Sequence, residues 1–180
     1  MRKRSQGFTL IEILIVIALM AVLTGIGADL FVNSLKAYQK SQITNQLSQN
    51  GNFVMSTILN AARNAKAISV SSDEGYDNNT LKITDASGVT TTFRFLDLAS
   101  GAGYISRKVG EEGWKIITSN NATSGIDIDT SVSRFDLSAD TPRTLTVVLK
   151  ISQAPNTPIN RAYNTTITLT NSVIIRGEYL

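Results

Sequence analysis

The sequence predicts an α+β chain: one long N-terminal helix, membrane-spanning in its first half and amphipathic in its second, packed on an antiparallel β-sheet head. Three observations carry this. A nearly unbroken apolar block runs from Phe8 to Ala28. Helix-permissive sequence with no Pro follows it, and beyond Ser69 β-branched runs alternate with turn-forming residues. A length of 180 residues suits one globular head plus an appendage.

The first seven residues form a short basic stretch containing Arg2, Lys3 and Arg4. From Phe8 to Ala28, at about 1.5 Å per residue, a helix covers roughly the 30 Å hydrocarbon layer of a bilayer. Cations before the span and none directly after it predict a single-pass inner-membrane protein, its N-terminus cytoplasmic and its head extracytoplasmic. A cleaved secretory signal is the competing reading, with Gly27-Ala28 as a small-residue cleavage site. Glu12 weighs against it, because an ionisable group inside an apolar helix costs roughly 2.5 to 3.5 kcal/mol at mid-span. A disposable signal has no use for that group.

The run Gly7-Phe8-Thr9-Leu10-Ile11-Glu12, with cations upstream and the apolar block downstream, resembles the prepilin cleavage and methylation motif of type IV pilin-like proteins. The resemblance implies that a prepilin peptidase removes the 1–7 leader after Gly7 and that Phe8 becomes an N-methylated first residue. It also implies that Phe8 and Glu12 drive assembly, the carboxylate meeting the N-terminal amine of a neighbouring subunit. The partners implied are other pilins or pseudopilins in a filament, an inner-membrane assembly platform and the lipid bilayer. A carboxylate that is satisfied only on assembly would favour the correct axial register.

Residues 29–68 read as an amphipathic continuation of the same helix. Ile43, Leu47, Val54, Ile58, Ala61 and Ala65 lie on one stripe, with Gln42, Gln46, Gln49, Asn52, Arg63 and Lys66 opposite. Helix from Phe8 to Ala67 would be about 90 Å long. Gly25, Gly27, Asn50, Gly51 and Asn52 are its weak points, because Gly costs about 1 kcal/mol against Ala inside a helix.

The head is expected over 69–180. The stretch 71–79, Ser-Ser-Asp-Glu-Gly-Tyr-Asp-Asn-Asn, reads as a loop, and strands follow it. Leu81 to Thr84 and Val89 to Leu96 flank the turn Asp85-Ala-Ser-Gly88 as a hairpin. Tyr104 to Lys108 and Trp114 to Thr118 suggest a second. Leu145, Val147, Leu149 and Ile151 alternate with polar or smaller residues, and Thr165 to Ile175 is again β-rich, so these are half-buried strands. Pro155 and Pro158 fall in their long connection, where a missing amide donor breaks no ladder. Helix, then paired strands, is the order of the pilin fold. The stretch Gln49 to Ile68, the late strand pair and Ile-Ile-Arg176 resemble minor pseudopilins or minor pilins of the J or W type. Many major pilins carry Pro where this sequence has Asp29, which favours a minor subunit.

Composition narrows the chemistry. The absence of Cys and His removes thiolate nucleophiles, imidazole bases and the usual zinc ligands, and no Ser-Lys arrangement replaces them. No enzyme, cofactor or metal site is expected. The net charge of +3 equals the contribution of Arg2, Lys3 and Arg4, so it carries no nucleic-acid footprint. Asp127 and Asp129, after Ser124 and Gly125, are oxygen donors of the kind Ca²⁺ takes but form no EF-hand loop, and with Asp73, Glu74 and Asp77 they read as turn and strand-edge acids. Trp114, Tyr76, Tyr104, Tyr163 and Tyr179 read as sheet packing rather than a binding surface. Two alternatives remain open at the level of sequence: a pilus-tip adhesin or DNA-uptake subunit, and a soluble exported β-rich module beginning near Asp29.

Overall fold

The computed structural model describes residues 7–73, 76–97, 102–119, 125–140, 142–154 and 165–175. Arg2, Lys3, Arg4, Glu74, Ser124, Pro155, Pro158, Tyr163, Arg176 and Tyr179 lie outside the described residues, as do the side chains of Asp73, Tyr76 and Asp77. Among the described residues one helix, α1 (Leu10–Arg63), precedes nine strands: β1 (Ala65–Asp73), β2 (Tyr76–Asp85), β3 (Thr90–Asp97), β4 (Gly103–Val109), β5 (Lys115–Ile116), β6 (Ile126–Ile128), β7 (Arg134–Leu137), β8 (Thr144–Gln153) and β9 (Ile167–Ile174). This is the expected α+β order. The chain divides into two units, Met1–Ser41 and Gln42–Leu180.

In the first unit α1 contains a stretch long and apolar enough to cross a membrane, with none of it buried by the chain itself. Exposed apolar side chains do not stop at Ala28: Leu30, Phe31, Val32 and Leu35 continue the surface. Gly25 and Gly27 are helical, and nothing crowds either of them.

In the second unit the rest of α1 turns one face to the core. Ile43, Leu47, Gly51, Val54, Met55, Ile58, Leu59 and Ala62 are buried, and Gln42, Gln46, Gln49, Asn52 and Arg63 are exposed. The expected stripe holds from Ile43 to Ile58, and Met55, Leu59 and Ala62 widen it. Helix continues without a break through Gly51. A Cβ there would overlap the terminal methyl of Leu169 and come 2.8 Å from Ile151 Cδ1, so α1 lies close against β8 and β9 and a side chain would require these methyl groups to shift. The helix ends at Arg63, short of the expected Ala67, because Ala65 to Asp73 is drawn into strand pairing.

Five strands form one antiparallel sheet in the order β1-β2-β3-β4-β5, and β6, β7 and β9 all pair with β8 in another. Both expected hairpins are present. Thr84 pairs with Thr90 across the first turn, and Arg107 with Lys115 near the second. The 71–79 segment is strand on both sides of residues 74–75 rather than a loop. Its Ser and Thr are carried by their register: Ser69 and Ser71 pair with Lys82 and Thr80, while Ile68 and Val70 pair with Ile83 and Leu81 and face the core.

In the second sheet Leu145, Val147, Leu149 and Ile151 are buried, as their alternation predicts, and β9 runs antiparallel along β8 from Ile167 to Ile174. The opposite edge of β8 is shared by β6 and β7 in succession. Between them Ser133 Oγ accepts a hydrogen bond from Lys150 N (3.0 Å), substituting for a backbone carbonyl while the chain turns. The two sheets and the helix share one core. Within it the Phe95 and Phe135 rings stack with centroids 4.6 Å apart. Gly103 N donates to Asp127 Oδ1 at 2.7 Å, and a Cβ on Gly103 would collide with the carbonyl of Ile128. Glycine there allows β4 and β6 to meet edge to edge.

Candidate assembly site at the helix N-terminus

Gly7, Phe8 and Thr9 precede the first turn of α1, and Thr9 is its N-cap residue. Glu12 stands three residues later. Its backbone N–H donates to Thr9 Oγ1 at 3.3 Å, while its Oε2 accepts from Thr9 N at 3.0 Å and from Thr9 Oγ1 at 3.1 Å. This is a capping box: two N–H groups that a helix start leaves unpaired are each satisfied by the other residue's side chain. The carboxylate also sits at the positive end of the helix dipole. Ile13 N closes the first turn onto Thr9 O at 3.3 Å.

The sequence-predicted residues Gly7, Phe8 and Glu12 are brought together, for with Thr9 they line one open pocket. Phe8 is 81% exposed. No atom lies within 4 Å of where a Gly7 side chain would begin, so the chain's own packing does not require glycine there. Among the described residues nothing packs over Gly7. Thr9 was not singled out from the sequence; the Thr-x-x-Glu spacing ahead of an apolar run is the signal that locates it.

A second cluster lies in the head. Asp97, Asp127, Asp129, Thr130, Ser131, Lys150, Ser152 and Thr166 line an open pocket with Ile128. Each carboxylate is engaged. Asp97 accepts from Thr130 Oγ1 at 2.9 Å, Asp127 from Gly103 N and more distantly from Ser152 Oγ, and Asp129 from Lys150 Nζ at 2.8 Å and from Ser131. The Lys150 ammonium, followed by Ser131, holds the Asp129 carboxyl below its ordinary value. Among the described residues no group of three His, Cys, Asp or Glu is placed to hold a metal ion. Trp114 is half exposed, with the Arg94 guanidinium 4.8 Å from its ring centroid, and Tyr104 is half buried. Trp114 therefore works as a stacking platform for its own sheet.

Comparison with curated proteins and with solved structures finds no match. Residues 2–28 match the family model described as the prokaryotic N-terminal methylation motif. That motif implies processing by a prepilin peptidase and assembly with other pilins, and the long apolar helix that follows fits a single-pass membrane anchor. The match and the capped, exposed start of that helix support a type IV pilin-like protein.

Proposed function

We propose that the chain is a structural subunit of a type IV pilus or type II secretion pseudopilus, cut after Gly7, N-methylated on Phe8 and assembled through its first helix. The observation that carries this reading is the grouping of Gly7, Phe8 and Glu12 at an uncovered helix start, inside the matched segment and at the head of an exposed apolar surface. Under this reading residues 1–7 are the leader, 8–28 the membrane and assembly segment, 29–68 the arm that enters the head, and 69–180 the rest of the head. The Arg2, Lys3 and Arg4 cations hold the leader on the cytoplasmic side. Once the leader is gone, the Phe8 ammonium of one subunit is the natural counter-ion for Glu12 of its neighbour. A carboxylate inside an apolar bundle is tolerated only when paired. Asp29, standing where major pilins often carry Pro, favours a minor subunit, and the likeness to the J or W type rests on the sequence stretch Gln49 to Ile68, the late strand pair and Ile-Ile-Arg176.

The test uses a host that makes such filaments. Gly7→Ala should leave the leader attached, and Glu12→Ala should give a correctly cut chain that fails to enter filaments. Normal cutting and normal filaments for both variants would contradict the reading.

A further inference from the structure

Between Glu12 and Lys36 the only charged side chain of α1 is Asp29. It is flanked by exposed apolar residues, with Ile26 before it and Leu30, Phe31, Val32 and Leu35 after it. Counted from Phe8 at about 1.5 Å per residue, Asp29 stands roughly 32 Å along the helix, at the far boundary of the hydrocarbon layer. Lys36 follows two turns later. Seven residues at about 100° each return to within about 20° of the same line, so the acid and the base lie on one stripe of the helix. Gly25, one turn before Asp29 on that side, leaves the surface open.

Within one copy the two charges do not meet, because helix neighbours are three or four residues apart, not seven. Neither side chain takes part in an ion pair or hydrogen bond among the described residues. Resting on the filament reading above, we propose that this stripe is a docking surface for a second copy of the chain. The second copy lies parallel and about two helical turns out of step, so that Asp29 of one copy pairs with Lys36 of the other. Charge complementarity selects this occupant: the same helix supplies the acid and, two turns on, the base. Parallel orientation follows from every copy entering the membrane the same way round. Burial of the pair between two helices lowers the local dielectric, which strengthens a matched pair and penalises a like-charged one.

The chain has no cysteine, so a disulfide between introduced cysteines reports contact between copies. Asp29→Cys and Lys36→Cys variants would be expressed together in a filament-forming host and oxidised. A dimer from the mixture, well above that from either variant alone, is expected. In parallel, Asp29→Lys or Lys36→Asp alone should lose filaments, and the two together should restore them, with the cut after Gly7 unchanged throughout. If wild-type chain starts at Phe8 and enters filaments but the mixture gives no excess dimer, or single reversals assemble normally, the pairing is wrong and the filament reading stands. If wild-type chain is not cut before Phe8, the filament reading itself falls and the pairing with it.

Discussion

Gly51 is helical and buried, and a side chain there would meet the terminal methyl groups of Leu169 and Ile151. Ala would suit the helix by about 1 kcal/mol, yet its Cβ would press on Leu169 and Ile151, and overpacking of this kind costs about 1 to 3 kcal/mol. Gly51→Ala is therefore expected to lower stability by about 1 kcal/mol, read as a lower melting temperature of the processed chain in detergent. Asp129 offers a pH test. Its folded-state value is depressed by Lys150 and Ser131, so its contribution is present above the ordinary Asp range and is lost as pH falls through the lower folded value. Lys150→Met should flatten the loss of stability below about pH 4, as seen by melting across pH 2 to 6. Unchanged acid sensitivity would remove Asp129 from the account. Phe8 and Glu12 were marked out by the resemblance of the Gly7-to-Glu12 run to the prepilin motif, whereas nothing in the sequence marked Gly51 as a packing position. Its role depends on strands β8 and β9, more than ninety residues away in the chain.

At the scale of elements, turns define what the strands do. Gly88 closes the β2–β3 turn at φ 83°, where Asp85 Oδ1 accepts from Ser87 N at 2.8 Å and from Val89 N at 3.0 Å. Gly88→Ala forces an L side chain into the left-handed region and should cost about 1 kcal/mol by denaturant unfolding. Phe135→Ala, which empties the ring stack with Phe95 between the two sheets, should cost about 3 to 5 kcal/mol in the same assay. The hairpins and β8 were legible because their apolar residues alternate over many positions. β1 was not. Ala65 and Ala67 favour helix and the serines that follow favour neither state strongly, so pairing of Ile68 and Val70 with Ile83 and Leu81 overrides the local preference. β6 and β7 have three and four residues, too few for any period to show, and owe their form to the edge of β8. The end of α1 moved for the same reason: competition with a strand partner, not a breaker residue, stops it at Arg63.

For the whole molecule, sequence and structure meet at the N-terminus. The apolar span, the cationic leader and the Gly7-Phe8-Thr9-Leu10-Ile11-Glu12 run were readable from composition and order alone. The structure adds that Glu12 is already held by Thr9 before any neighbour arrives. Under the proposed assembly, docking on a Phe8 amine would exchange one set of partners for another, and Thr9→Val should weaken the helix start by about 1 kcal/mol, with fewer filaments from chain that is still cut. The functional account depends on where the mature chain begins. The direct measurement is the intact mass and N-terminal sequence of the chain recovered from a host carrying a prepilin peptidase. The account predicts a chain beginning at Phe8 with one methyl group on its amine. A chain beginning at or after Asp29, or one retaining Met1 to Gly7, would contradict it.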